Sequence, residues 1–395
     1  MSMQALHNIR ILDLSRLVAG NMLTHVLADF GAEVIKIERP GVGDDLRHWN
    51  VAGVSTHWKV YARNKKSLTL DLRQAQGREL LLKLAEQAQV LVENFVPGTL
   101  ERWRLGPEDL HAHNPDLIIT RVSGWGQTGP YRDQPGFGSL VEAMSGFAAM
   151  TGFADRPPLL PPLALADMIA GLSGAMAVLT ALRAHEMGGQ PGQVIDLSLF
   201  EPIFSALGPQ ALNYQLTGEI PQRMGSRTAI TAPRNVYACK DGRFVALSAS
   251  MQGMTEQLFH AIGQPELITD PRFRTNTDRV ANNDALDAIL ATFMAAHTQA
   301  ECLQIFSAAK VTVGPVCDIE QLLDHPYIQG REALINTPDP DLGPIPMHNV
   351  TPRLSGTPGA IHSPAPALGQ HTAELLAELG LSSAKIEQLA RDGIV

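Results

Sequence analysis

The chain has 395 residues, more than one hydrophobic core usually organises, so two structural units are expected. Hydrophobic residues make up 45% and charged residues 18%, and no stretch reads as the roughly eighteen consecutive apolar residues of a membrane span, so no membrane partner is expected. A formal net charge of −9 excludes broad attraction to nucleic acid and leaves only local basic clusters to meet an anionic small ligand.

In chain order, the first 125 residues alternate short β-branched runs with helical patterns: Ile9–Ser15, Met22–Phe30, Glu33–Glu38, Gln76–Ala88, Val90–Asn94 and Leu117–Ser123. Strands joined by crossover helices predict a parallel sheet with helices on its faces. Gly31 stands where the first helix must stop, a position suited to a positive φ. A further helical pattern begins near Asp167 and puts Ile169, Leu172, Met176 and Leu179 on one face, with small residues between them, which reads as a central buried helix. Gln193–Leu199 reads as another strand. Residues 201–230 read as a linker and Asn235–Cys239 with Phe244–Ser250 as a hairpin across Asp241-Gly242. A smaller unit over 231–328, a return linker over 329–369 rich in Pro, Gly and His, and terminal helices over 370–395 rejoining the first 200 residues complete the expected organisation.

Most generic motifs fail on context. Gly124-Trp125-Gly126-Gln127-Thr128-Gly129 is a literal GxGxxG after a strand, but Pro130 and Pro135 follow, so no helix opens to hold a pyrophosphate. The histidines form no HxxxH or HExxH pattern, and no metal site is expected. Neither a GxSxG elbow nor a cysteine beside a histidine is present, and the three cysteines fit no disulfide framework. With no export signal at the N-terminus, a cytoplasmic protein is expected. Asp167 is the carboxylate of interest, because it opens an otherwise apolar, small-residue helix where free N–H groups favour negative charge. It reads either as a plain helix cap or as a poorly hydrated nucleophile.

Several segments in register decide between those readings: ILDLSRLVAG (Ile11–Gly20), LADFGAEVIKIERPGVGDDLR (Leu27–Arg47), NKKSLTLDL (Asn64–Leu72), ENFVPG (Glu93–Gly98), SGWGQTGPY (Ser123–Tyr131) and LADMIAGLSGAMAVLTAL (Leu165–Leu182). Together with DPRFRTNTDR (Asp270–Arg279) and Gly314-Pro315-Val316, their order and spacing resemble the family III CoA-transferases over most of the chain. The resemblance implies an α/β fold, with a large Rossmann-like parallel-sheet domain and a smaller α/β domain, in an interlocked homodimer. It implies that Asp167 is the catalytic nucleophile, passing through an aspartyl anhydride and an aspartyl-CoA thioester. The substrates it implies are coenzyme A, as its acyl-CoA esters, and small carboxylic acids such as succinate, with no tightly bound cofactor. By position it also implies a CoA pocket formed by Val18, Ala19, Arg39, Leu70, Arg73, Asn94, Phe95 and Arg102. Arg39 and Arg73 read equally as solvated surface charges, Asn94 as a turn residue and Phe95 as core.

Departures from the family pattern narrow the expectation. Val18 stands where the formyl-CoA:oxalate subgroup has glutamine, and residues 248–253 read Ser-Ala-Ser-Met-Gln-Gly in place of a glycine run, which points away from oxalate. The related α-methylacyl-CoA racemases add a His-Asp pair after the Gly-Pro segment; here Pro135-Gly136-Phe137-Gly138 carries no histidine. Gly138 and Glu142 replace an Asp and a Gln common among transferases. Arg16, Arg47 and Arg63 are the candidates to meet a distal carboxylate. The rival readings are a racemase-like CoA-ester isomerase and a non-catalytic CoA-ester binder.

Overall fold

The computed structural model describes residues 4–395. Strands β1 (Arg10–Asp13), β2 (Glu33–Glu38), β3 (Lys65–Thr69), β4 (Val90–Glu93), β5 (Ile118–Ser123) and β6 (Val194–Ser198) form one sheet in the order β3-β2-β1-β4-β5-β6. Every neighbouring pair is parallel, with Ile11 beside both Val34 and Val90. The order reverses between β1 and β4, and in such sheets the crevice beyond the carboxyl ends of the strands receives ligands. Alternation along the strands divides the core. Leu12, Ile35, Leu68, Leu91 and Ile119 pack on one face with the helix Ala75–Ala85 and the terminal helices Thr372–Glu378 and Ser383–Arg391. Ile11, Val34, Val90 and Ile118 pack on the other, under the helices Leu17–Asp29 and Leu165–Gly188.

The first helix starts at Leu17, five residues before the expected Met22, and Gly31 follows it at φ +102° as expected. Its entry is illegible in sequence because the residue at its start, Arg16, is extended and supplies no cap of its own, and Leu17 itself adopts φ +61°. The long helix runs Leu165–Gly188, with Ala164 in the cap position and no side-chain cap, so Asp167 is its third residue and the plain-cap reading is overturned.

The expected face of the long helix is also overturned. Its buried residues are Ala166, Ala170, Gly171, Gly174, Ala175, Val178, Ala181 and Leu182, whereas Leu172 and Met176 are 51% and 66% exposed. The reason is close approach. A Cβ on Gly171 would lie 2.7 Å from Met22 Cβ, and one on Gly174 would lie 2.4 Å from Leu23 Cδ1. The first helix beds into the small-residue groove, where dense backbone packing outweighs burial of the larger side chains. By length and a mean hydropathy of 1.7 this helix, alone among the described residues, has the composition of a membrane span. The embedded small-residue face is the packing of a core helix.

The chain divides into two compact units. The first takes in the chain up to Phe147, Leu160–Pro209 and Arg331–Val395; the second comprises Ala148–Leu159 and Gln210–Gly330. In the second, β7 (Arg234–Ala238), β8 (Phe244–Ser248) and β9 (Val313–Pro315) form an antiparallel sheet, with Gly242 at φ +76° in the expected hairpin. Helices Gln252–Ala261, Asn283–Ala296 and Gln299–Ala308 pack on it through Phe259, Leu286, Leu290 and Phe306. Segments read as linkers carry structure: helices Phe200–Ala206 and Gln210–Thr217, and a hairpin of β10 (Leu334–Asp339) with β11 (Gly343–His348).

Candidate active site

A cavity of about 370 Å³ opens at the carboxyl ends of β1 to β4, lined by the loops that leave them. Arg39, Leu70, Arg73 and Phe95 line it. Arg39 is exposed and makes no ion pair among the described residues. Arg73 is bound to Asp71 through two contacts of 2.6 and 2.8 Å, and this guanidinium draws the Asp71 carboxyl down to about 2. Leu70 is buried in the core, and Phe95 packs edge-on against Trp103 at 5.3 Å. The other four expected residues are not in the cavity wall. Arg102 donates to Thr99 Oγ1, which is, at 2.7 Å. Asn94 uses both ends of its amide on the Arg16 backbone, at 2.8 and 2.7 Å, and so ties the exits of β1 and β4 together at the switch point. Val18 is core, packed with Leu46 and Trp58. Ala19 is buried and packs on the long helix, its carbonyl oxygen 2.9 Å from where a Cβ on Gly171 would lie, and its backbone N–H favours the charged form of Asp167.

Asp167 sits where its own helix meets the first helix and the helix Gly138–Met144. Burial raises its carboxyl to about 6 and the charge of Glu142 adds to the rise, while its own N–H and that of Ala19 oppose it. Glu142, on the helix Gly138–Met144, is 2% exposed and accepts from Ala166 N–H at 3.1 Å. It therefore satisfies a first-turn donor that Ala164 cannot cap. Gly138 makes room for Asp167, since a Cβ there would lie 2.1 Å from Asp167 Oδ2. The pair Gly138 and Glu142 thus shapes the surroundings of Asp167. A close carboxylate left charged, short of donors and partly desolvated is suited to attack at an electrophilic carbonyl.

The GxGxxG stretch is a loop, as its prolines indicate. Gly126 and Gly129 take φ +88° and +81°, and Gln127 N–H donates to Asp196. The three candidate arginines separate clearly. Arg63 is fully buried on Asp29 at 2.6 Å. Arg47 grips Glu38 and lies 3.7 Å over the Trp58 ring. Only Arg16 remains exposed, 3.7 Å from Asp45 and on the cavity wall.

Sequence reading missed a buried ionic cluster behind the cavity. Asp13, Lys36 and Lys65 are at most 2% exposed, with Lys36 Nζ 2.9 Å from Asp44 and 3.2 Å from Asp13, and Lys65 Nζ 3.1 Å from Asp13. The available signal was two lysines and an aspartate at inward positions of otherwise apolar strands, which alternation alone assigns to a solvated face.

A doubly wound sheet with a strand-end cavity lined by arginines, and a partly desolvated carboxylate on a small-residue helix, has the architecture of an α/β enzyme with room for an anionic ligand. The family model described as CoA-transferase family III matches residues 6–372. Among curated relatives, the succinyl-CoA–D-citramalate CoA-transferase of Chloroflexus aurantiacus is 42% identical over 99% of this chain and 98% of its own length. The succinyl-CoA:glutarate CoA-transferase of Mus musculus is 33% identical over 100% and 91%. The crystal structure of a CAIB/BAIF family protein from Brucella suis superposes with a TM-score of 0.85 at 33% identity, covering 96% of this chain and 100% of that one. The chain belongs to CoA-transferase family III and is an enzyme of that class.

Proposed function

We propose that the protein transfers CoA from succinyl-CoA to a second small dicarboxylic acid, with Asp167 as the covalent carrier. The observation that carries this reading is the placement of Asp167 in the first turn of the small-residue helix, where only a glycine at 138 leaves room for its Oδ2; burial and the charge of Glu142 raise its carboxyl to about 6. The named relatives that use succinyl-CoA with citramalate or glutarate supply the acid class. Arg16, three residues before Ala19, exposed and held only by a 3.7 Å pair with the equally exposed Asp45, is the residue we assign to the distal carboxylate. Arg39 and Arg102, which make no ion pair among the described residues, are assigned to CoA phosphates. CoA esters are substrates here, and the chemistry needs no resident cofactor.

In the proposed sequence an Asp167 oxygen attacks the succinyl carbonyl, the C–S bond breaks, and CoA leaves as thiolate, giving a mixed anhydride. The thiolate then attacks the Asp167 carbonyl of that anhydride, releasing succinate and leaving an aspartyl-CoA thioester. The acceptor carboxylate displaces the thiolate to form a second anhydride. Attack of the thiolate on the acceptor's acyl carbon regenerates the Asp167 carboxylate. No net proton is consumed, and one thioester is exchanged for another, so positioning and charge stabilisation are what the protein supplies.

The test is incubation with succinyl-CoA and a panel of C4 and C5 dicarboxylic acids, followed by hydroxylamine trapping and mass mapping of Asp167. A new CoA ester together with a hydroxamate at Asp167 is expected. Solvent exchange of an α-proton with no CoA moved would assign the racemase-like reading instead, and an unmodified Asp167 would remove the covalent mechanism. We also propose that the exposed apolar positions Leu172, Met176 and Leu179 are covered by a second copy in a homodimer; a monomeric mass at micromolar concentration by light scattering would remove that part.

Glu142 gives a pH prediction of definite sign. Its charge raises the Asp167 carboxyl, so Glu142→Gln, which keeps an oxygen for Ala166 N–H, is expected to let Asp167 ionise at lower pH. The acid limb of kcat/KM then moves down in pH. A profile that is unmoved or shifted upward would contradict the assignment.

A further inference from the structure

The buried ionic cluster is not used by the transfer chemistry, yet it surrounds the turn that delivers Ala19 to Asp167. Leu17 occupies φ +61°, a conformation leucine rarely adopts, at the entry to the first helix. Asp44 meets it there: its Oδ1 accepts from Leu17 N–H at 3.0 Å and from Leu46 N–H at 2.9 Å. Its Oδ2 accepts from Asn21 Nδ2 at 2.8 Å, and the same Asn21 amide donates to Leu17 O at 2.6 Å. Both Leu17 backbone polar groups are thus held from one carboxylate. On the other side of the turn, Asp13 accepts from Ser15 N–H at 3.0 Å and from Ser15 Oγ at 2.6 Å. Ser15 in turn presses on Gly20, where a Cβ would lie 2.2 Å away. Lys36 joins the two sides, donating to Asp13, to Asp44 and to Ser15 O.

We propose that Asp44, anchored by Lys36, is a positioning residue that holds Leu17 in the left-handed conformation and so keeps Ala19 seated on the long helix, its carbonyl oxygen 2.9 Å from where a Cβ on Gly171 would lie and its N–H directed to Asp167 one turn earlier on that helix. This rests on the reading of Asp167 as the nucleophile, but the geometric part can be tested without it. Ala19 lies two residues beyond Leu17 on a helix that has just begun, so a change of φ at Leu17 swings the first-turn N–H groups as a body. Asparagine at 44 cannot replace aspartate. Its amide nitrogen would face the Lys36 ammonium and the Asn21 amide, donor against donor, and turning the side chain over to relieve this takes the acceptor away from Leu17 N–H.

Asp44→Asn is therefore expected to lower kcat at least thirtyfold, and its crystal structure to show Leu17 out of the left-handed region with Ala19 N–H off Asp167. Adding Leu17→Gly is the discriminating step. Glycine takes positive φ without the steric cost, so Leu17→Gly/Asp44→Asn should recover at least tenfold of the lost kcat. A role for Asp44 confined to core stability or to contact with the CoA ester predicts no such recovery. Should Asp44→Asn fail to fold, Leu17→Val tests the same point from the other side, because a β-branched residue resists positive φ; it should lower kcat at least tenfold with little change in melting temperature. A folded Asp44→Asn that keeps Ala19 on Asp167, a double variant no faster than Asp44→Asn, or a fully active Leu17→Val overturns the proposal. If instead Ala19 leaves Asp167 as expected but the unaltered protein shows no adduct at Asp167, the positioning stands and the covalent reading fails.

Discussion

Replacing Asp167 by asparagine is expected to abolish CoA transfer while making the protein more stable at neutral pH. Removing the nucleophile of a covalent mechanism costs on the order of 10^4-fold or more in kcat. The gain in stability follows from linkage. The folded-state carboxyl is raised from 3.8 to about 6, so between those values the folded protein retains a proton that the unfolded chain releases. Stability therefore falls as pH rises through that window, and above it the full cost of holding Asp167 charged is present, up to about 3 kcal/mol for a shift of about two units. An asparagine avoids that cost. Urea unfolding at pH 7.5 should place Asp167→Asn above the unaltered protein, with the difference closing as pH falls toward 4. A variant less stable at pH 7.5, or one that still transfers CoA, would contradict the site as described. The site is thus expected to be a place where reactivity is maintained against stability.

The second large effect is expected at Lys36. Lys36 is fully buried between Asp13 and Asp44, and Lys36→Met would leave two buried carboxylates with Lys65 as the remaining cation of the cluster. Burial works against the charge on Asp13, but Lys36 and Lys65, with hydrogen bonds from Ser15 and Thr24, bring its carboxyl down to about 2. A folded-state value below the usual one is stability present above pH 4 and lost as pH falls toward 2; without Lys36 much of that support goes. Breaking a buried pair from one side costs about 3–5 kcal/mol. Lys36→Met should therefore lose a large part of its resistance to urea, and Lys36→Met/Asp44→Asn, which removes a carboxylate with the cation, should recover some of it. Equal midpoints for Lys36→Met and the unaltered protein would mean that the cluster is not ionised as described.

Most strands of the large sheet were readable from their β-branched and apolar runs, and Glu33–Glu38 coincides with β2 to the residue, whereas β3, Lys-Lys-Ser-Leu-Thr over Lys65–Thr69, carries too little apolar pattern and was not expected. The long helix shows the limit. Its period of 3.6 was visible, but which face is buried was not, because Leu172 and Met176 outrank Gly171 and Gly174 on any hydrophobicity scale. Only the first helix, arriving close enough to forbid a Cβ at Gly171, reverses that order.

The pocket residues divide in the same way. Arg39 and Phe95 stand where their loops put them, whereas Asn94 and Val18 occupy pocket positions in sequence and structural positions in space. The sequence by itself determined the sheet rhythm and the family and singled out Asp167 as the residue to test, since each rests on the order of residues along the chain. The tertiary structure decided that Asp167 is a third-position residue beside Glu142, that Gly138 leaves it room, and that Asp44 and Lys36 stand behind Ala19. Those relations join residues distant in sequence, and the desolvation and charge that tune Asp167 exist only once the folded chain has brought them together.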